Sequence, residues 1–197
     1  MKTKLWTIQN ERGWDELQVK GILIPKSEFI EPYFIKGYNW MKKQMTERIG
    51  KPRHKSQYPI WAWYQHFSIN KRKPDLRLSG HLPPGTKGYR IEFEKDEKDI
   101  LLSEFGLWHS VLYECYLPFD IKDYEAFEEK IEHIEHIDFE DYPQNIKTEI
   151  EKSWNKIFDM EFGSPEITLP FNEKKIQATL WELRLSDIKK VDEFIAK

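Results

Sequence analysis

The sequence predicts an α+β fold, a twisted and mostly antiparallel sheet with flanking helices. Three observations lead there. Short runs that alternate with period two, such as YRIEFE at residues 89–94, occur early, midway and late in the chain. Stretches with apolar residues at steps of three and four lie between them. The two kinds are mixed rather than strictly alternating, which disfavours a purely parallel βαβ architecture. The 197 residues contain no repeat, low-complexity tract or long linker, so they read as one domain, 1–197.

Residues 4–9 (KLWTIQ) alternate as a strand. Asn10 suits an N-cap, Trp14 and Leu17 follow on a short helix, and Gly21 suits its left-handed end. Residues 22–24 read as a second strand before Pro25. Within residues 33–49, Phe34, Tyr38, Met41, Met45 and Ile49 mark one helical face, ended by Gly50 and Pro52. Residues 58–67 (YPIWAWYQHF) are aromatic and β-branched, as a strand prefers. Residues 70–88 form a loop with turn chemistry at Pro83, Pro84 and Gly85. Residues 89–94 and 99–103 read as strands, and 105–116 as a helix. Residues 120–136 and 144–158 are amphipathic helices. Residues 174–185 suit a strand, and Ser186 and Asp187 cap a last turn into 188–195.

Composition narrows the function classes. The net charge of −3 argues against a strongly basic nucleic-acid binder. No apolar run reaches the ~20 residues of a membrane span, and the N-terminus shows no signal-peptide core. The single cysteine, Cys115, excludes an internal disulfide and any cysteine-cluster metal site, so a cytoplasmic setting is expected. Aromatic residues reach 15%, with Trp 8, enough for an aromatic core, a stacking site, or both.

Five constellations carry chemistry. Strand alternation puts Trp61, Trp63 and Gln65 on one face and Ala62 and Tyr64 on the other. Two indoles beside an amide would stack a planar ring, although a covered sheet face is the simpler reading. Gln177, Thr179 and Trp181 share a face late in the chain, and Leu5, Thr7 and Gln9 share one early. His133 and His136 stand three apart on a helix, as a shared metal would require, but without a His-Glu-x-x-His pattern. No metal is expected, and a metal-dependent hydrolase is the weakest reading. Ser103, Glu104 and His109 lack any Gly-x-Ser-x-Gly context. Lys71, Arg72 and Lys73 with Arg77 would suit phosphate, or simply a solvated loop. Cys115 has no evident base beside it.

Several of these segments coincide with one pattern. Residues 5–9 (LWTIQ), 59–65 (PIWAWYQ), 73–77 (KPDLR) and 101–105 (LLSEF), with Trp108-His109, resemble domain-of-unknown-function family 3841. So do Ser153-Trp154 with residues 157–159 (IFD), and residues 177–179 (QAT) with Trp181-Glu182. Glu104 stands where an aspartate is the expected residue. The resemblance covers nearly the whole chain and implies a bacterial family without an assigned activity.

A looser resemblance, at the level of the fold, is to small ADP-ribosyltransferase domains. The opening strand, the helix with Trp14 and Leu17, and Gly21-Ile22-Leu23 are similar to their start. Their ending would correspond to Gln177-Ala178-Thr179, Asp187-Ile188 and Val191. That resemblance implies NAD or a related nucleotide-like small molecule as ligand, stacked on Trp61, Trp63 or Tyr64. It places Gln177, Thr7 and Gln9 near the ribose as catalytic candidates, and Arg77 or Arg90 at the pyrophosphate. Thr179 occupies the position of the usual catalytic glutamate, and Thr7 or Gln9 that of a histidine or arginine. The alternative is a non-enzymatic module with a protein partner, part of a toxin–antitoxin or phage-conflict system.

Overall fold

The computed structural model describes residues 1–135 and 138–197. Strand β1 (Lys2–Asn10) leads into helix α1 (Glu11–Lys20) and the short β2 (Ile22–Leu23). Helix α2 (Ile35–Arg48) precedes strands β3 (Ile60–Gln65), β4 (Lys87–Asp96) and β5 (Leu101–Glu104). Helices α3 (Phe105–Leu112), α4 (Ile121–Ile131) and α5 (Gln144–Ser153) follow. Strands β6 (Ile176–Leu180), β7 (Leu183–Arg184) and β8 (Ile188–Ile195) close the chain. Among the described residues, six strands form one sheet in the order β5-β6-β3-β1-β4-β8, and β2 pairs with β7 apart from it. Each strand pairing is antiparallel, and the class is α+β.

Local chemistry sets the boundaries. The Asn10 side chain accepts from Gly13 N–H at the start of α1, and Gly21 ends that helix at φ 71. Glu104 caps α3, its two carboxylate oxygens accepting from Gly106 and Leu107 N–H at 2.9 and 2.7 Å. Asp120 caps α4 through Asp123 N–H. Gly37 lets α2 close on α3, because a Cβ there would sit 3.3 Å from the Val111 carbonyl.

Several expected elements end or turn differently. The turn capped by Asp187 forms at Leu185–Asp187, the Asp187 side chain accepting from Arg184 N–H, and residues 188–195 continue from it as the edge strand β8. Ladder pairing with β4 runs from Lys87↔Ile195 to Phe93↔Ile188. Lys189, Lys190, Asp192 and Glu193 charge that edge, which discourages further strand addition. The long strand expected at 174–185 divides at Trp181 into β6 and β7, which join different sheets. Residues 97–99 form a tight 3-10 turn before β5. The helix expected to reach 116 stops at Leu112, where Glu114 turns left-handed at φ 57. The helix from 144 tightens to 3-10 geometry at Trp154. The helix expected to reach 136 ends at Ile131, and His136 lies outside the described residues.

The sheet separates two cores. On one face, α1 and the β2/β7 pair press Leu17, Leu23 and Leu183 onto Leu5, Ile60, Ile91, Phe93, Ala178 and Leu180. On the other, the helices α2 to α5 gather Met41, Trp108, Val111, Phe127, Ile146, Ile150 and Trp154 over Leu101, with Trp61 and Trp181 alongside. Burying both faces of β3 and β6 removes their apolar side chains from water twice over, at ~25 cal/mol per Å². Trp154 is fully buried, and its indole N–H donates to the Cys115 carbonyl at 2.7 Å.

Replacing Trp154 with alanine is expected to cost about 3–5 kcal/mol in urea unfolding, the usual range for a buried aromatic. Val19→Ala, at a position 85% exposed on α1, is expected to change stability by no more than ~0.5 kcal/mol.

Candidate functional site

The site is built where the sheet comes apart. β1 meets β3 at one register pair, Trp6↔Trp63, while β1 pairs with β4 along its whole length. Around that pair, side chains take over from the ladder. Thr7 Oγ1 donates to the Trp61 carbonyl at 2.9 Å. The Arg72 guanidinium donates to the Tyr64 carbonyl at 2.8 Å and the Lys4 carbonyl at 3.2 Å. Its cation also lies 4.2 Å from the centre of the Tyr64 ring.

A half-buried aromatic ledge runs beside this seam. The Trp63 ring lies 5.1 Å from Phe105 and 4.7 Å from His66. Phe105 lies 4.8 Å from His109, and His66 lies 5.5 Å from His81. Gln177 stands opposite Trp63 in the β3/β6 register, and Ser103 stands opposite Gln177 in the β5/β6 register. Gln177 Oε1 and Ser103 Oγ are both buried, and neither has a hydrogen-bond partner among the described residues. Buried polar atoms usually have a protein or water partner; Trp61 Nε1, Gln65 Oε1 and Ser164 Oγ share this lack elsewhere in the fold. Cross-strand partners lie ~5 Å apart at Cβ, so the Gln177 and Ser103 atoms offer adjacent polar contacts beside an indole face.

The residues expected to form one site divide into groups. Trp63 and Gln177 come together on the ledge. Trp61 shares their face but is packed into the helical core, 4.9 Å from Trp108 and 5.9 Å from Tyr38. Thr7, Gln9 and Tyr64 face the opposite side of the sheet. The alternation of β1 puts Thr7 and Gln9 with Leu5, in the core beneath α1, and Tyr64 packs against that same core. Gln9 donates to Thr7 Oγ1 at 2.9 Å and lines a cleft of about 230 Å³ with Gly13, Leu23 and Leu82. Thr7 and Gln9 therefore do not meet Gln177. Gln65 also leaves the tryptophan row, because a bulge between Trp63 and Gln65 sets it opposite Ile176. Its amide donates to the Phe171 and Lys174 carbonyls.

The arginines expected at a pyrophosphate are already engaged. Arg90 holds Asp192 at 2.6 Å and donates to the Pro74 carbonyl. That bond keeps the Asp192 carboxyl down at about 2. Arg77 pairs with Asp75, whose carboxyl is held well below the usual range by the Arg77 side-chain and backbone donors.

The remaining constellations are structural or outside the site. Glu104 caps α3, and His109 Nδ1 bonds the Phe105 carbonyl of its own helix at 3.0 Å, so Ser103, Glu104 and His109 form no relay. Burial pushes the exposed-edge Cys115 thiol up, away from the thiolate. No cluster of three or more metal-ligating side chains occurs among the described residues. None of the described helices is long and apolar enough to cross a membrane.

Phe105, His66 and His81 complete the ledge but do not stand out in the sequence. His66 adjoins the aromatic strand, which is the one signal that points to it. Phe105 reads as the first residue of a helix, and His81 as part of a loop.

The family model described as Domain of unknown function (DUF3841) matches residues 4–189. No curated protein and no solved structure matches the chain.

His66 sets a pH dependence. Burial first, then the charges of His81 and Lys175, push its imidazole from 6.5 down to about 4, with Asp75 pulling the other way. The unfolded chain takes up this proton near ~6.5. The fold's stability is therefore complete above that pH and falls as pH drops toward 4. The urea midpoint is expected to decline across this window, and His66→Phe to flatten the decline. An NMR titration of the His66 ring centred near 6.5 would contradict this.

Proposed function

We propose, for a chain that belongs to the DUF3841 family, that the ledge of Trp63, Gln177 and Ser103 binds a planar, nucleotide-like ligand such as NAD. The single observation that carries the reading is the half-buried Trp63 indole beside the unpartnered carbonyl oxygen of Gln177. An indole face stacks any planar ring, at ~1–3 kcal/mol per base. An amide oxygen and a hydroxyl at its edge accept hydrogen bonds from a carboxamide or an exocyclic amine. Phe105 and His109 extend the stacking surface.

Binding is better supported than ADP-ribosyl transfer. Transfer builds positive charge at the ribose, which a nearby carboxylate must stabilise. Glu104 is committed to the N-terminus of α3, and Glu182 to Arg53 and Arg184. Thr179 is buried and donates to the Leu101 carbonyl at 3.3 Å.

The alternative of a protein-interaction module, of toxin–antitoxin or phage-conflict type, is favoured by Phe67 and Ile69. They are 54% and 47% exposed, and the Lys71 and Lys175 ammonium groups flank Phe67 at 5.6 and 6.0 Å.

Calorimetric titration with NAD separates the two. The expected result is saturable binding that weakens about tenfold in Trp63→Ala, for the lost stacking. Gln177→Ala is expected to weaken it about fivefold, for one lost hydrogen bond. No heat of binding at millimolar NAD would discard the nucleotide reading in favour of the protein partner.

A further inference from the structure

A second chemistry lies in the turn that leads into β6. Lys174 is only 2% exposed, and its Nζ donates to the Met160 carbonyl at 2.7 Å and the Phe162 carbonyl at 3.1 Å. No carboxylate among the described residues lies within ion-pair distance of it. Glu104 faces this region but gives both oxygens to the backbone N–H groups of α3. Glu104, Glu161 and Asp159 all act on Lys174 through space, each favouring the ammonium, and burial outweighs them.

Two carbonyl acceptors leave either form of this side chain with one unused site, of different character. An ammonium brings three N–H donors, and the turn supplies two acceptors. A neutral amine brings two N–H donors and one lone pair. The ammonium would keep one N–H without an acceptor, whereas the neutral form uses both N–H groups on the two carbonyls and keeps a free lone pair. Burying an ammonium without a counter-ion costs several kcal/mol, which favours the same form. Burial accordingly lowers the basicity of this amine.

Lys174 also lines a cavity of about 510 Å³, walled by Met160, Phe162, Leu169, Pro170 and Phe171. Leu169 is 54% exposed at its rim. The walls are mostly apolar, with Glu161 and Thr168 among them, and the cavity is large enough for a small aromatic or aliphatic molecule.

We propose that Lys174 is a nucleophilic amine that captures an apolar aldehyde or ketone from this cavity as an imine. The nitrogen lone pair attacks the carbonyl carbon and forms the C–N bond. The carbonyl π pair moves to oxygen, which takes up one amine proton. The second amine proton leaves with the hydroxyl group as water, and the C=N bond forms. One amine and one carbonyl give one imine and one water, with no change of oxidation state.

The test uses the full chain, benzaldehyde and cyanoborohydride at pH 7, with adducts located by peptide mass spectrometry. The hydride of the reagent reduces the imine and fixes the adduct. Lys175, the exposed neighbour, is the internal control. Lys174 is expected to be labelled about tenfold faster than Lys175, because burial without an ion-pair partner disfavours its ammonium and the cavity holds the carbonyl beside it. Leu169→Trp, which fills the cavity mouth, is expected to abolish labelling of Lys174 and spare that of Lys175. Equal or faster labelling of Lys175 in the parent chain would overturn the proposal. So would labelling of Lys174 that survives Leu169→Trp unchanged in a variant with the parent's circular dichroism spectrum.

Discussion

The sheet depends on its seam. Strands β5, β6 and β3 form one ladder, β1, β4 and β8 another, and the two meet at Trp6 and Trp63. Where β1 and β3 part, their carbonyls would be left without donors, at about 1–3 kcal/mol for each buried group. The Thr7 hydroxyl and the Arg72 guanidinium replace the missing N–H groups. A guanidinium suits this role because its fork reaches two carbonyls on different strands. The loop that carries Arg72 is therefore a component of the sheet, and its basic character does not identify an anion site.

The seam also fixes what each half of one sheet face can be. Helices α2 to α5 cover the β5-β6-β3 half and make it apolar. The β1-β4-β8 half of that face is ionic, with Lys4 on Glu92 at 3.0 Å, the Trp6 indole N–H on Glu92 at 2.9 Å, and Arg90 on Asp192. Trp63 sits on the boundary. It has helical residues on one side and the histidines of the loop on the other. That position leaves an indole partly wet, which neither a core nor a fully charged surface would do.

Much of this architecture is legible in the sequence because it follows from side-chain period. The alternation at 89–94 and the three-and-four steps at 33–49 identify β4 and α2 directly. So does the Asn10–Gly21 pair of helix ends for α1. Period alone does not assign faces between strands. Thr7 and Gln177 are each a polar residue on an apolar strand, and their separation by the thickness of the sheet follows only from the β1-β3-β6 register. The bulge at Tyr64 is equally silent, since one extra residue moves Gln65 across the sheet without changing any local preference. The cap signal of Asp187 is realised in the turn at 185–187, and the extension of 188–195 into β8 rests on long-range hydrogen bonds that no local window contains.

The turn before β6 ties the two candidate sites to one another. The Lys175 carbonyl accepts from Phe105 N–H at 2.8 Å, so the first residue of the ledge helix is anchored to the residue next to Lys174. The Lys174 carbonyl accepts from the Gln65 amide, which follows the bulge behind Trp63. Three residues further on, Gln177 enters the ledge itself. The cavity wall and the ledge thus share a backbone support, the turn at 174–175 that two hydrogen bonds tie to α3 and to β3.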